Sequence, residues 1–513
     1  MAIRRAVVSS LIALLVAGGM GTEGAAAPPA VQREAINVPG APESHTPPAL
    51  NRAVAVRYSL AGSPPPSVVL VLIPGLNSGP NTMDILAREL IAAHGPGLEI
   101  WVVARRAALL QDRRGIEAAL EYENPAFALG YYYGDLGING QTFHLLGEHD
   151  APYAAYWGLD VHLRDIRAIV REAHARFPDA RVVLGGHSLG GIFAAVYAGY
   201  DFDRALGAIP PVRGGTAGIG ASEISGLLLL DGLPVPIRFT LTADEYLNGL
   251  YVPFVGRVPG VEALTSPDPR KRVGPFAQLS EIARTKDSIA FDVISAYAFL
   301  RPDQASYFPF YPRRGLPITN AALVAGILSA EMQPDVLIRI STETPVGDFR
   351  RIPDPSGLNP NGLLDLATGR PAKGAALIDL PPPGAETPAR VDFQTLQAAI
   401  MRPGADFTEW YFPWRLVIDF GLAASLDTSD PFSRQFMSMT HLRETALPIL
   451  IIGAGRGLIR SPGAAAYYLS HISTPRTEVS VHIMKGYYHL DIVTATPNPA
   501  VPLILEWLNR VVH

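Results

Sequence analysis

Arg181-Val182-Val183-Leu184-Gly185-Gly186-His187-Ser188-Leu189-Gly190-Gly191 decides the fold. Its opening residues suit a buried strand. The run that follows, Ile192-Phe193-Ala194-Ala195-Val196-Tyr197-Ala198, is apolar, rich in small residues, and reads as a helix. Between them Gly186, Ser188 and Gly190 form G-x-S-x-G. A turn sharp enough to push a serine hydroxyl out of the fold needs small residues on both sides, and glycine tolerates the strained backbone. In a chain with 48 glycines the bare pattern can arise by chance. Set between a strand and a helix, it points to a serine with a chemical task.

Working outward, Val68-Val69-Leu70-Val71-Leu72-Ile73 is a continuous apolar run closed by Pro74-Gly75, the mark of a buried parallel strand. Asn81-Thr82 suits the cap of a helix from Met83 to His94, and Leu98 to Val103 is the next strand. This βαβ unit makes a mostly parallel sheet with helices on both faces the leading architecture. Asp160 to Phe177 is helical and leads into the opening stretch. After the serine helix, Gly226-Leu227-Leu228-Leu229-Leu230-Asp231-Gly232 reads as a buried strand ending in an acid. The alternation then stops. It resumes with strands at Leu447–Gly453 and Thr477–Met484, a helix near Pro462–His471 between them, and a closing helix over Pro499–Val511.

The organisation that follows is a core in two parts, 28–232 and 446–513, interrupted by an inserted cap or lid, 233–445. The cap is Pro-rich, with helices expected around Phe276–Leu300, Ala321–Met332 and Phe393–Met401, and it ends in Trp410, Tyr411, Phe412 and Trp414. Residues 28–50 read as an extended leader, and Arg52–Tyr58 as an early, half-exposed strand. The segment 105–158 is long and rich in aromatics. Two readings stand: a loop packed on itself, or a wall of a substrate pocket over the strand ends.

Arg4 and Arg5, the apolar stretch Ala6–Met20 and the small residues Ala25-Ala26-Ala27 have the layout of a signal peptide over 1–27. A secreted or periplasmic protein is expected, with no stable membrane span once the signal is removed. The chain has no cysteine, so it has neither a disulfide nor a lipid-anchor cysteine. Its net charge of −5, with no basic block, argues against nucleic acid as a partner. There is no H-E-x-x-H, no EF-hand loop and no phosphate loop, so neither a metal nor a cofactor is expected.

Strand ends supply Ser188, Asp231 and, beyond Met484, His489. A serine hydroxyl is a poor nucleophile at neutral pH and needs a base within hydrogen-bond reach. That base needs an acid to fix its tautomer and stabilise its charge. The order Ser…Asp…His, with the serine on a strand-to-helix elbow, resembles the α/β-hydrolase superfamily, in particular its esterase and lipase branch. The resemblance covers roughly 50–232 and 445–513, and Gly186-His187-Ser188-Leu189-Gly190-Gly191 is its specific part. It implies a serine hydrolase that cleaves carboxylic esters through an acyl-enzyme, and with the expected signal peptide an exported one; a small-molecule, lipid or polyester substrate is expected. A peptidase or amidase on the same fold, or a non-catalytic binding protein that keeps it, are the alternatives.

One departure bears on the acid. Many members carry it after the strand that follows the cap, where this chain reads Gly453-Ala454-Gly455-Arg456-Gly457-Leu458, with no carboxylate. A minority uses the strand after the nucleophile helix, which ends here in Asp231; Asp244 and Glu245 are its rivals. Among the 12 histidines, position after the final strand favours His489. His187 points away in the family pattern, His144 and His149 are candidates for the pocket, and Asp491 is a loop partner. By resemblance the oxyanion donors are the N–H groups of Leu189 and Leu76, with Asn77 as runner-up to Leu76.

Overall fold

The computed structural model describes residues 30–147, 149–203, 218–234, 241–252, 256–277, 285–308, 319–329, 337–342, 363–364, 371–372, 390–423, 426 and 441–512. The expected signal peptide lies outside them. So do 237–240, which precede Asp244, residues 278–284 within the first expected cap helix and 330–332 at the end of the second.

Apolar runs such as Val68–Ile73, Leu227–Leu230 and Ile449–Ala454 are too continuous to leave one face wet and become fully buried strands. The strands of the main sheet are β1 (Val31–Pro39), β2 (Arg52–Leu60), β3 (Val68–Ile73), β4 (Leu98–Ala104), β5 (Arg181–His187), β6 (Leu227–Leu230), β7 (Ile449–Ala454) and β8 (Val479–Met484). They form one sheet in the order β1-β2-β4-β3-β5-β6-β7-β8. β2 runs antiparallel to β1 and to β4, and every other neighbouring pair is parallel. The expected α/β-hydrolase sheet is the one observed.

Side-chain alternation divides the core into two layers. On one face Val69, Val71 and Ile73 meet helix α2 (Leu159–Arg176) through Leu163 and Ile166, and helix α3 (Leu189–Ala198) through Phe193 and Val196. On the other face Val68, Leu70 and Leu72 meet Leu86 and Leu90 of helix α1 (Asp84–His94), together with Ile504 and Trp507 of the closing helix Ala500–Val512. Burying each such Leu, Ile or Phe is worth about 1.5–3 kcal/mol, so the sheet is held from both sides.

β6 and β7 are hydrogen-bonded neighbours although residues 231–448 separate them in sequence. Within that insertion lie α4 (Thr285–Leu300), α5 (Asn320–Leu328) and α6 (Phe393–Ile400). They share a second core with Tyr131, Tyr132, Trp157, Trp410 and Tyr411. The Tyr132 and Trp410 rings meet edge to face at 5.5 Å, a favoured aromatic geometry. The aromatics of 105–158 therefore follow the self-packing reading, joined by the end of the insertion. Among the described residues no helix is long and apolar enough to cross a membrane.

Two expectations need correction. The stretch read as a leader contains β1, which pairs with β2 along its whole length, from Val31 opposite Leu60 to Pro39 opposite Arg52. It is an edge strand with mostly half-exposed and exposed side chains, so it carries no apolar period to read. Arg33 anchors it through the Tyr58 hydroxyl (3.2 Å), Asn81 and the Pro403 carbonyl. The helix expected from Phe276 starts later in the described chain: Phe276 and Ala277 lie extended against Pro413 and Phe412, and α4 is described from Thr285.

The closest packing lies where β5 turns into α3. A Cβ on Gly190 would overlap the Ile73 carbonyl, and one on Gly186 would overlap the Gly190 carbonyl. Gly190→Ala is expected to destabilise the fold by about 4 kcal/mol or more, or to leave the protein insoluble. Gly463→Ala, whose Cβ would meet only Ser461 Oγ at 3.7 Å, should change stability by less than about 0.5 kcal/mol. Urea unfolding of the two variants measures the difference.

Candidate active site

β5 delivers Ser188 at the end of a fully buried run, in a conformation other residues avoid: φ 56°, ψ −123°. A left-handed φ on a non-glycine residue costs about 1–3 kcal/mol and persists only where the surroundings impose it. Here they do. Ser188 N–H donates to the Leu230 carbonyl (2.9 Å), and the Ser188 carbonyl accepts from Gly191 (3.0 Å) and Ile192 (3.3 Å). The hydroxyl does not cap α3. It faces a cavity of about 300 Å³ that also takes in His187 and His489.

Asp231 follows β6 directly and is completely buried. Its backbone is pinned by Asp231 N–H to the Ile452 carbonyl at 2.7 Å. Its carboxylate meets four donors. Oδ1 accepts from the amides of Ala454 (2.9 Å) and Ile459 (2.8 Å). Oδ2 accepts from the Leu458 amide (2.9 Å) and from His489 Nδ1 (2.6 Å). Burial pushes this carboxyl up, but the His489 contact and the amides of Ala454 and Leu458 outweigh it and hold the group below its usual range. An ionised carboxylate carries no proton, so Nδ1 of His489 must carry the one shared between them. The lone pair of the neutral ring is then at Nε2.

The loop after β7 thus has a task despite having no acid. Three of Asp231's donors are backbone amides from 454–459, and a Cβ on Gly457 would overlap Asp231 Oδ2. The structure brings Asp231, the acid expected from the sequence, against His489; the amide cradle is not among the expectations. The glycine-rich spelling Gly453-Ala454-Gly455-Arg456-Gly457 was the available signal, since close backbone approach needs it. The rivals Asp244 and Glu245 sit on a short helix, Ala243–Asn248. Glu245 closes a capping box with Thr242, and Asp244 accepts from Asn248.

His187 does not point away. Its Nε2 lies 2.9 Å from the His489 carbonyl, and the two rings are 4.4 Å apart. Burial, then the proximity of His489, holds its pKa well below the ordinary histidine value. It is therefore neutral and donates Nε2–H to that carbonyl, steadying the loop that carries His489. Asp491 steadies the same loop from the other side. Its carboxylate accepts from Tyr488 N–H (2.8 Å) and from the backbone N–H (2.7 Å) and hydroxyl (2.6 Å) of Ser341 in the insertion. His144 instead pairs with Asp150 at 2.9 Å, both exposed, and neither it nor His149 is among the described lining residues.

Both residues expected to supply oxyanion donors lie near Ser188. Leu189 is the first residue of α3, and Leu76 lines the cavity in the loop after β3. Among the described residues neither backbone N–H has a hydrogen-bond partner. The side chain of the runner-up, Asn77, donates to Ser288 Oγ of α4 at 3.3 Å. The cavity walls are apolar, built from Leu76 of the core and Phe291, Ile294, Ile327, Leu337 and Phe407 of the insertion. Apart from the two histidines, Asp287 is the ionisable group among the described lining residues. The Ser188 hydroxyl makes no hydrogen bond to His489 among the described contacts; between a serine and a histidine base such a link often tightens only when a ligand binds. No group of three or more His, Asp or Glu among the described residues is placed to hold a metal ion.

No family model matches the sequence, and no curated protein does. Among solved structures the chain is similar to a candidate lipase from Sulfolobus solfataricus, at 14% identity over 94% of this chain and 94% of that one, with a TM-score of 0.48. It is also similar to the peroxisomal alpha-beta-hydrolase of Saccharomyces cerevisiae, at 11% identity over 94% of this chain and 89% of that one, TM-score 0.36. A thermophilic esterase from Thermogutta terrifontis matches at 11% identity over 94% of this chain and 100% of that one, TM-score 0.34.

The Asp231 cradle makes a stability prediction. Asn at this position puts an NH2 against one of four donors, at an expected cost of about 1–3 kcal/mol near neutral pH. Because the folded-state pKa of Asp231 is depressed, its contribution is present above the unfolded value of about 3.9. It is lost as pH falls through the lower folded value. In denaturant titrations the stability gap between wild type and Asp231→Asn should hold near neutrality and narrow below about pH 4. A gap unchanged by acid would contradict the bonding described.

Proposed function

We propose that the protein is a serine hydrolase acting on carboxylic esters, with Ser188 as nucleophile, His489 as base and acid, and Asp231 as the acid that orients it. The observation that carries this reading is the 2.6 Å contact of His489 Nδ1 with a carboxylate already held by three amides. It sits beside a serine on a left-handed elbow that opens into the same cavity. In this reading Nε2 of His489 takes the Ser188 proton as Oγ attacks the ester carbonyl carbon. The N–H groups of Leu76 and Leu189 meet the negative charge that develops on the carbonyl oxygen. The bond to the alcohol oxygen breaks as His489 returns the proton to it, leaving an acyl-serine. Water, deprotonated by His489, then attacks the acyl carbon. The carboxylic acid departs, and Ser188 recovers its proton.

The apolar walls favour an apolar acyl or alcohol group, in keeping with a lipid or polyester fragment. A cavity of about 300 Å³ is at the small end for ligand sites, which favours short or medium chains over long ones. Asp287 makes an anionic group beside the ester unfavourable. A binding protein without catalysis drew its support from the missing carboxylate after β7. The amides of that loop on Asp231 remove that support. We further propose that residues 1–27 are an export signal, that the protein works in the periplasm or outside the cell, and that 233–445 is the cap of a core formed by 28–232 and 446–513.

Wild type and Ser188→Ala, assayed against a panel of acyl esters, amides and peptides, test the reading. Ester turnover should fall by about 10³-fold or more in the variant, with the fold retained. Equal rates on every ester would sink the proposal, and serine-dependent turnover confined to amides or peptides would move the protein to the peptidase alternative.

A further inference from the structure

Behind the loop that carries Leu76 lies a group that neither the sequence nor the proposed chemistry assigns. Arg105 stands immediately after β4, with its side chain 4% exposed. Its guanidinium is spread over the loop from the protein side. Nη2 donates to the carbonyls of Pro74 (2.9 Å) and Gly75 (2.7 Å). Nη1 donates to the Ser78 carbonyl (3.2 Å) and to Glu409 Oε2 (2.8 Å). The Phe412 ring covers it at 5.1 Å.

The Gly75 carbonyl and the Leu76 N–H belong to one peptide unit. A trans peptide is planar, with its C=O and N–H pointing in opposite directions. Fixing the Gly75 oxygen on Arg105 therefore turns the Leu76 N–H away from Arg105, toward the cavity side of the loop. A cation bonded to the carbonyl also polarises the peptide and strengthens its N–H as a donor. The remaining carbonyls are tied down as well. Leu76 O accepts from Ser78 Oγ (3.2 Å), and Asn77 O accepts from Glu409 N–H (3.0 Å).

We propose that Arg105 is the positioning residue of the oxyanion site: it orients and polarises the 75–76 peptide. Glu409, in the insertion, holds the guanidinium in place. This rests on the reading of Leu76 N–H as an oxyanion donor. Arg105 does not touch the reacting atoms, so its effect belongs to the transition state rather than to substrate binding. Lysine keeps the charge but is a point donor that cannot match a planar fork over four oxygens. The neighbouring segment reinforces the arrangement, since Gly79 and Asn81 N–H groups donate to the carbonyls of Phe407 and Asp406, both at 2.9 Å.

The test compares wild type, Ser188→Ala, Arg105→Lys and the double variant Arg105→Gln/Glu409→Gln. The double variant avoids a buried carboxylate left without its partner. Each is checked for native near-UV circular dichroism at the assay temperature. Turnover of a short-chain p-nitrophenyl ester gives kcat and KM, and an alkylboronic acid, which adds to a serine to form a tetrahedral anion, gives the affinity for charge in the oxyanion site. Folded Arg105 variants should lose about 10²-fold in kcat and a similar factor in boronate affinity, with KM within about threefold of wild type. If kcat and boronate affinity stay within about twofold while Ser188→Ala is inactive, the positioning role is overturned and the hydrolase reading stands. A rise in KM with kcat unchanged, or failure of both Arg105 substitutions to fold, assigns Arg105 to structure alone and overturns it too. A Ser188→Ala protein as active as wild type removes the hydrolase reading itself.

Discussion

A carboxylate with no exposed surface has to be met by donors or give up its charge. At Asp231 four donors converge, and the arrangement of the site follows from that requirement. Three are backbone amides, one from the last residue of β7 and two from Leu458 and Ile459 in the loop after it. The fourth is the ring of His489. Since the amides already supply protons to both oxygens, the imidazole is held as one tautomer and in one plane. In the proposed mechanism this fixes where the base acts, and the elbow at Ser188 takes its meaning from that base.

The insertion is part of the same construction. Ser341 is bound to Asp491, two residues beyond His489, while Glu409 is bound to Arg105 behind the Leu76 loop. Between these two attachments α4 and its neighbours supply most of the cavity wall. Burial pushes the Glu409 carboxyl up to about 7, against the pull of Arg105. That attachment therefore rests on geometry and hydrogen bonding as much as on net charge. A segment tied to both halves of the chemistry cannot be removed without moving one of them.

Much of this was legible in the sequence, and what was not has physical reasons. The buried strands announced themselves as unbroken apolar runs, and Val68–Ile73 falls where the run predicts it. That Ser188, Asp231 and His489 come together was legible because each follows a strand of one parallel sheet, and such strands bring their ends together. β1 was not, because an edge strand with wet side chains has no hydrophobic period. The Asp231 cradle was not, because it consists of backbone amides, which every residue has. The role of the aromatics at 105–158 could not be separated from sequence alone: core and pocket wall want the same residues, and only packing against Trp410 and its neighbours distinguishes them. Arg105 was invisible for a further reason. Its acceptors are carbonyls 27 to 31 residues away and a carboxylate 304 residues away, and no pattern of residue types encodes them.

Whether Asp231 and His489 make a nucleophile of Ser188 is read most directly by mass spectrometry after treatment with a fluorophosphonate, which forms a stable bond only to an activated serine. Expected is a single adduct mapped to Ser188, formed at least about 10³-fold more slowly in Asp231→Asn, where the ring loses its orienting carboxylate. A folded protein that takes no label at Ser188, or takes it elsewhere, would contradict the assignment.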